Sequence, residues 1–309
     1  MRVLVVTTVT PLVVLALSAC SAPQDASDFQ YRSTFDKRTN GVVLHEDGEG
    51  GHAGMYGTNC PFDTNTGAVT GDYDLPGSDE DVQDGEETEL GEITLAAVIP
   101  GTVHVLDKTG GVYTHVPVTI DRVVEARLLF DGVVGMSPDC TLSWVGLDGE
   151  VRKQIGLSAC AGGLEVDPVG GIGVVADPTS TVVTDGVVAQ GAAVNGDLVA
   201  FDPLTDAFYI AQTGEWAVHA IEIDGTLRWS ADTTGPVTAL DDGGAAGAAA
   251  VVVGQEDGSG AVAFYDGLTG ELVRYADTPS PAEDLSVSGN GRVIALVRPN
   301  QSFIFELID

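Results

Sequence analysis

Oxygen-bearing residues between positions 63 and 74 are the first candidates for chemistry in this chain. They match offsets 1, 3, 5, 7, 9 and 12 of a twelve-residue calcium loop, filled by Asp63, Asn65, Gly67, Val69, Gly71 and Asp74. Calcium prefers such hard oxygen ligands. However, Ala68 stands at offset 6, where the loop needs Gly, and offset 12 is Asp rather than a bidentate Glu. We therefore assign no metal-binding residue and expect an ordinary turn here.

The histidines and hydroxyl residues form no recognised catalytic arrangement. His45 and His52 are separated by glycines that disfavour the helix on which paired metal-binding histidines lie. His104, His115 and His219 are isolated, and we expect each to be a strand residue. The chain contains neither G-x-S-x-G nor S-x-x-K, the usual settings of a serine nucleophile. The sequence assigns no catalytic residue and no cofactor.

The amino terminus carries a clear chemical signal. After Arg2, an apolar stretch at 3–17 is too short for a membrane-spanning helix and has the character of an export signal. It ends in Leu-Ser-Ala-Cys20, which resembles a bacterial lipobox. The resemblance implies that residues 1–19 are removed, that Cys20 is lipidated, and that 20–34 form a polar tether. An ordinary signal peptide with a chance cysteine is the alternative.

An exported chain can keep disulfide bonds. With Cys20 modified, the chain has three other cysteines, so one is left without a partner within the chain. We predict the pair Cys140–Cys160, which would enclose one predicted turn. Pairing of Cys60 with either of them remains open.

Charge narrows the classes of partner. The chain has 46 acidic and 13 basic residues, a formal net charge of -33, which repels nucleic acid and anionic lipid. We therefore expect no nucleic-acid partner and membrane contact through the lipid anchor alone. Ten acidic residues and no basic one lie at 71–92. That composition favours a solvated, inserted loop, with cation binding as the alternative.

Short apolar runs separated by Gly, Asp and Pro predict an all-β chain. Several alternate apolar and polar residues, as half-buried strands do; examples are 93–99, 102–106, 197–201, 217–223 and 292–297. The best helix candidate, 121–130, fits a strand equally well. Asp-Gly pairs recur between the runs and suit tight hairpins.

A repeat narrows the architecture. An apolar residue, an Asp and a short turn recur, with the aspartates at Asp63, Asp107, Asp148, Asp224 and Asp266. Their separations are 44, 41, 76 and 42 residues, the long one allowing a degenerate repeat near Asp185. A period of about 40 is that of one four-stranded propeller blade. We predict a β-propeller over 35–309, with seven blades of four antiparallel strands, or six as the alternative.

Three segments resemble propeller families. Residues 265–275 (YDGLTGELVRY) resemble quinoprotein-like repeats, 201–230 are similar to YVTN-type blades, and 284–308 are similar to a last WD-repeat-like blade. The quinoprotein resemblance would imply a redox cofactor, but the adjacent cysteines that accompany that cofactor are absent. The chain therefore resembles a generic bacterial propeller lipoprotein.

The sequence favours a non-catalytic role. We expect an exported, lipid-anchored propeller that serves as a binding or assembly scaffold in the bacterial cell envelope, at the outer membrane if the source is Gram-negative. Its partner would be an envelope or surface protein. The alternative is a calcium-dependent propeller hydrolase or lyase, which would require carboxylates converging on the central axis. A third hypothesis is binding of cationic ligands by the 71–92 segment.

Overall fold

A computed structural model describes most of the chain from residue 29 to residue 307. The described residues are 29–35, 41–45, 48–55, 58–70, 73–74, 88–90, 93–99, 101–109, 112–157, 163–167, 173–176, 181–184, 187–189, 194–255, 257–278, 280–298 and 301–307. They form seven four-stranded antiparallel sheets. A single 3-10 turn at Gly244–Ala246 is the helical element of this described part.

The first four sheets follow the chain in order, and we number them as blades. Blade 1 contains β2 (Gly41–Leu44), β3 (Gly50–Met55), β4 (Thr58–Asp63) and β5 (Tyr73–Asp74). Blade 2 contains β6 (Thr88–Leu90), β7 (Ile93–Ile99), β8 (Thr102–Thr109) and β9 (Val112–Thr119). Blade 3 contains β10 (Glu125–Leu129), β11 (Gly132–Met136), β12 (Thr141–Gly146) and β13 (Val151–Gly156). Blade 4 contains β14 (Gly163–Val166), β15 (Gly173–Ala176), β16 (Thr181–Thr184) and β17 (Val187–Ala189).

The last three sheets include the closure of the ring. Blade 5 contains β18 (Leu198–Asp202), β19 (Ala207–Ala211), β20 (Ala217–Glu222) and β21 (Leu227–Asp232). Blade 6 contains β22 (Val237–Asp242), β23 (Ala248–Gly254), β24 (Gly260–Asp266) and β25 (Leu272–Thr278). Blade 7 contains β26 (Asp284–Val287), β27 (Val293–Arg298) and β28 (Gln301–Leu307), and its fourth strand is β1 (Phe29–Phe35).

The first strands of neighbouring blades contact one another in a closed cycle. β2, β6, β10, β14, β18, β22 and β26 each contact the next, and β26 contacts β2. These innermost strands therefore surround a central axis, and the fold is a β-propeller, as the sequence predicts. Because alternate strands are antiparallel, the connections after each first and third strand lie on one face, which we call the turn face. The other connections lie on the opposite, loop face.

Closure of the ring changes the predicted domain boundary. β1 pairs with β28 along its length, from Phe29 opposite Leu307 to Phe35 opposite Ser302. Residues 29–34 therefore belong to the propeller rather than to the tether. The buried Ser33 donates a hydrogen bond of 2.6 Å to the carbonyl of Thr64 in blade 1, so β1 also ties blade 7 to its neighbour. Because this strand contains several polar residues, the sequence alone does not distinguish it from the polar tether that precedes it.

The recurring aspartates stabilise turns, and most of them occupy the same place in each blade. Asp63, Asp148, Asp224 and Asp266 end or follow a third strand, on the turn face. Each accepts a hydrogen bond from a backbone N–H two or three residues later, at 2.8 to 3.0 Å. Asp107 differs, because β8 runs through it to Thr109. The period of about 40 thus arises from one turn per blade.

Small apolar residues allow the sheets to stack. Every residue of β23 in blade 6 is buried, and this strand reads AAAVVVG. Ala249, Val251 and Val253 pack with blade 5, whereas Ala250 and Val252 pack with blade 7. One strand thus serves two interfaces through its alternating sides. Burial on both sides explains why alternation of apolar and polar residues is weak in this part of the sequence.

The predicted runs become strands. The run 93–99 is β7, and 102–106, 197–201, 217–223 and 292–297 overlap β8, β18, β20 and β27. The segment 121–130 forms a turn followed by β10, so it is a strand rather than a helix. The ends of the acidic segment contribute β5 and β6, while 75–87 lie outside the described residues.

Candidate functional site

Of the cysteines predicted to be lipidated or paired, Cys140 lies within the described chain, whereas Cys20 and Cys160 lie outside it. Cys20 lies outside it, and lipidation there stays a prediction. Cys140 is disulfide-bonded, but Cys160 lies outside the described residues, so their pairing stays a prediction as well. The side chain of Cys60 is likewise outside the description. Within the described part, no helix has the length and apolar character needed to span a membrane.

The candidate calcium loop is a hairpin turn. Asp63 Oδ1 accepts hydrogen bonds of 2.8 Å from both the backbone N–H and the hydroxyl of Thr66. These bonds lower the pKa of Asp63, since they favour its charged form. No group of three or more His, Cys, Asp and Glu side chains suited to a metal ion occurs among the described residues.

The histidines are dispersed among the blades. His104 is buried in β8, and His219 lies in β20, where its Nδ1 is 2.8 Å from the hydroxyl oxygen of Ser230. Burial lowers the pKa of His219. His45 follows β2, and the side chains of His52 and His115 lie outside the description. The structure therefore brings no two of the described histidines into one candidate site.

Carboxylates are concentrated on the innermost strands. The seven strands around the axis carry Glu89, Glu125, Glu165, Asp202, Asp241, Asp242 and Asp284, and Arg127 is the one basic residue within their described bounds. Sequence reasoning named such convergence as the requirement of the metal-dependent alternative, without identifying these residues. A signal was available, because Glu125, Glu165 and Asp202 fall in successive blades about 40 residues apart.

Several of these side chains link neighbouring blades. Glu125 in blade 3 accepts a 2.7 Å hydrogen bond from the backbone N–H of Leu164 in blade 4. Asp241 in blade 6 accepts one of the same length from Val287 in blade 7. The hydroxyl oxygen of Ser286 in blade 7 accepts one of 3.1 Å from Leu44 in blade 1. These side chains of the innermost strands therefore hold neighbouring blades together through hydrogen bonds to the backbone.

Arg127 neutralises part of the inner acidity. It is buried, its Nε donates to Glu165 Oε2 at 3.1 Å, and it lies 3.4 Å from Glu125 Oε1. It therefore joins carboxylates of blades 3 and 4. The described innermost strands of blades 5 to 7 contain no comparable cation.

The excess of carboxylates over cations affects the pKa values of Asp241 and Asp242, at the end of β22. Burial raises the pKa of both carboxyls, and for Asp242 it reaches about 7, with Asp202 and Glu165 contributing repulsion. The Asp241 carboxyl is raised further by Asp242 beside it. Asp242 also accepts a 2.6 Å hydrogen bond from the backbone of Gly244, which partly offsets the rise. The pKa values of both carboxyls are therefore raised, in contrast to the lowered pKa of the turn aspartates Asp63 and Asp266.

A polar junction joins blades 5 and 6 at the turn face. The buried Asp202 accepts hydrogen bonds from the hydroxyls of Thr205, at 2.7 Å, and Tyr209, at 2.6 Å. Arg228 donates to the carbonyls of Thr205, at 2.6 Å, and Gly267 in blade 6, at 3.1 Å. The indole N–H of Trp229 donates to that same Gly267 carbonyl at 2.9 Å.

Exposed leucines surround this junction. Leu204 is 63% exposed, Leu227 48% and Leu268 66%. Leu204 approaches Gly247, whose carbonyl accepts a 2.9 Å hydrogen bond from Gly267, the residue before Leu268. Leu227 precedes the junction residue Arg228. We call these three residues the leucine patch. A contiguous exposed apolar patch marks a protein-interaction surface, and the leucine patch is the candidate for one on this face.

Comparisons with known proteins agree with the architecture. A chain in a crystal structure of the mitotic checkpoint complex superposes with a TM-score of 0.68, covering 100% of this chain and 99% of that one, at 13% sequence identity. At that identity the likeness shows the fold alone, and 1295 solved chains match in all. No family model matches the chain, and no curated protein matches it. The propeller is thus established, and its activity must be argued from its surfaces.

Proposed function

We propose that this chain is a lipid-anchored propeller that acts as a binding or assembly scaffold in the bacterial cell envelope. The observation that carries the binding role is the leucine patch on the turn face of blades 5 and 6. Leu204 and Leu268 expose about two thirds of their surface. Their backbones are fixed by the junction through Thr205 and Gly267. A partner would meet a surface that is already ordered, so little conformational entropy would be lost on binding.

The anchor part of the proposal is supported by the leader sequence and by the position of the first strand. Since β1 begins at Phe29, eight residues separate it from Cys20. Extended chain spans at most about 3.3 to 3.6 Å per residue, so the propeller would be held within about 30 Å of the lipid surface. That reach suits a partner embedded in, or attached to, the same membrane.

Two experiments test the two parts separately. For the anchor, Cys20→Ser should abolish incorporation of labelled fatty acid and move the chain from the membrane to the soluble fraction. Labelling that survives the substitution would contradict anchoring at Cys20. For the scaffold, wild-type chain and a Leu204→Glu/Leu268→Glu variant would be cross-linked in membranes of the source organism. The proposal requires a discrete partner that the variant loses, with unchanged melting temperature.

The alternative is a metal-dependent hydrolase or lyase, and its support is limited to the placement of three carboxylates of the described chain, which do not form a group suited to a metal ion. Asp241, Asp242 and Asp284 lie on adjacent innermost strands, and the charge of Asp284 contributes to the raised pKa of Asp241. Stoichiometric calcium in the purified chain, together with a calcium-dependent rise in melting temperature, would favour this alternative. Loss of that rise in Asp241→Asn would assign the metal to the axis.

A further inference from the structure

A cleft of about 490 Å³ opens on the loop face between blades 5 and 6, opposite the leucine patch. Its walls come from the connection after β19, the connection from β21 to β22, the connection after β23, and β25. The lining side chains are Trp216, Thr234, Pro236, Gln255, Asp257 and Tyr275. The cleft lies away from the central axis and from the proposed scaffold surface.

Backbone hydrogen bonds hold the loops of the cleft together. The N–H of Val237 donates to the carbonyl of Glu215, and the N–H of Gly214 donates to the carbonyl of Val237, both at 2.8 Å. The N–H of Gly254 donates to the carbonyl of Pro236 at 2.9 Å. Three loops from two blades are thereby fixed to one another. The cleft is therefore formed before any ligand binds.

The cleft presents aromatic surface to solvent. Trp216 is 52% exposed, whereas Trp144 and Trp229, the other two tryptophans of the chain, are 7% and 8% exposed. Tyr275 forms a second aromatic wall, and its hydroxyl accepts a 2.9 Å hydrogen bond from Gln255 Nε2. The face of an indole ring attracts cations, and Arg or Lys side chains are common partners.

The surroundings of the cleft are negative. Asp257 lines it, and Asp277 accepts a 3.0 Å hydrogen bond from the lining residue Gln255. From 212 to 278 the sequence has two basic residues, Arg228 and Arg274. Arg228 is engaged in the junction on the turn face, and Arg274 lines a separate cleft with turn-face residues such as Asp266. Among the described residues, no basic side chain lines the cleft between blades 5 and 6.

We propose that the cleft binds the cationic side chain of a protein partner, an arginine or a lysine, against Trp216 and beside Asp257. The inference rests on the proposed scaffold role and names the chemistry of its partner. The net charge of -33 would draw a basic segment toward the chain before contact. The aromatic wall then distinguishes specific binding from general attraction.

Capped amino acids test this directly on the full chain purified in detergent. The probes are N-acetyl-arginine amide, N-acetyl-lysine amide, the uncharged N-acetyl-norleucine amide, and choline, titrated by ligand-observed NMR. We expect saturable millimolar binding of the arginine or lysine probe and no saturation with norleucine. Equal binding of norleucine would overturn the cationic assignment. Binding of choline without either capped amino acid would overturn the protein-partner assignment.

Matched variants locate the site. Trp216→Ala should weaken the arginine probe about two- to fivefold, the usual range of an exposed cation–π contact. Asp257→Asn should weaken it as well, whereas Asp224→Asn should leave it unchanged. The two aspartates are a close match, because each accepts hydrogen bonds from the N–H and hydroxyl of the residue two positions later, Ser259 or Thr226. An asparagine oxygen can accept the same bonds.

The outcomes separate this inference from the proposed function. Equal weakening by Asp257→Asn and Asp224→Asn would show bulk attraction and overturn the cleft, as would absence of saturable binding. Either result leaves the leucine patch and its envelope partner untouched. Conversely, specific binding of the arginine probe with no partner recovered from membranes would contradict the scaffold role and leave the cleft standing.

Discussion

The inner-strand carboxylate Asp242 should make this protein less stable as pH rises through neutrality. Its carboxyl has a pKa of about 7 in the folded chain, against an ordinary value of 3.8. The folded state therefore keeps a proton that the unfolded state has lost, and folding takes up a proton between these two pH values. Unfolding free energy falls with pH wherever the folded state binds more protons.

The size of the effect follows from the two pKa values. A tenfold change in proton affinity is worth about 1.4 kcal/mol, so the full difference amounts to about 4 kcal/mol, fully developed above pH 7. Asp242→Asn removes the ionisation and can keep the 2.6 Å hydrogen bond from Gly244 through its amide oxygen. The variant should therefore match wild type near pH 4 and exceed its stability by up to about 4 kcal/mol at pH 8.

The assay is denaturant unfolding of both proteins from pH 4 to pH 8, followed by circular dichroism. Asp206→Asn is the control, since it removes the same charge from an exposed turn residue with a φ of 50°, a conformation that Asn accepts. If Asp242→Asn and Asp206→Asn change stability equally at every pH, net charge explains the effect. A variant less stable than wild type at pH 8 would contradict the raised pKa of Asp242, because it would mean that the folded chain gains from an ionised Asp242.

Three further expectations concern the junction and the turns. Arg228→Ala should lower the unfolding free energy by about 2 to 3 kcal/mol, since it removes charge-assisted bonds to the carbonyls of Thr205 in blade 5 and Gly267 in blade 6; an unchanged denaturation midpoint would contradict the junction. Gly267→Ala should cost about 1 to 3 kcal/mol, because a Cβ there would overlap the Tyr209 hydroxyl, whereas Gly156→Ala, with open space around it, should stay within about 0.5 kcal/mol by the same assay. Calcium should raise the melting temperature of wild type and Asp63→Asn equally or not at all, because Asp63 already caps its own turn; a calcium-dependent rise that Asp63→Asn abolishes would contradict that assignment.

The repeat could be predicted from the sequence because it rests on local bonds. Asp266, for example, accepts hydrogen bonds from residues two and three positions later, so a few consecutive residues of the sequence determine the turn. The same is true of Asp63 and Asp224. One such turn per blade is enough to set the period, and the period is enough to indicate a propeller.

Contacts between blades could not be predicted in the same way. Arg228 meets the carbonyl of Gly267 across 39 positions, and Arg32 of β1 meets Glu306 of β28 across 274. Nothing in the residues near Arg228 specifies which carbonyl it will reach. For the same reason the sequence places residues 29–34 of this strand in the tether, because the partner strand lies at the other end of the chain.

The carboxylates of the innermost strands could be predicted in part. Their spacing is regular, but their approach to one axis depends on the ring, which only the assembled blades create. The raised pKa of Asp242 likewise depends on Asp202 and Glu165, each on the innermost strand of a different blade. The sequence could therefore indicate that a metal-dependent enzyme would need carboxylates at the axis, but it could not identify which carboxylates lie there.

The most direct test of the scaffold proposal is photo-crosslinking in membranes of the source organism. A photoreactive residue would replace Leu268 in the leucine patch, or Val151, which is 51% exposed on the turn-face side of blade 3, as a matched control. We expect a discrete crosslinked product from position 268 that is absent from position 151. No product from position 268, or the same product from both positions, would contradict a partner seated on the leucine patch.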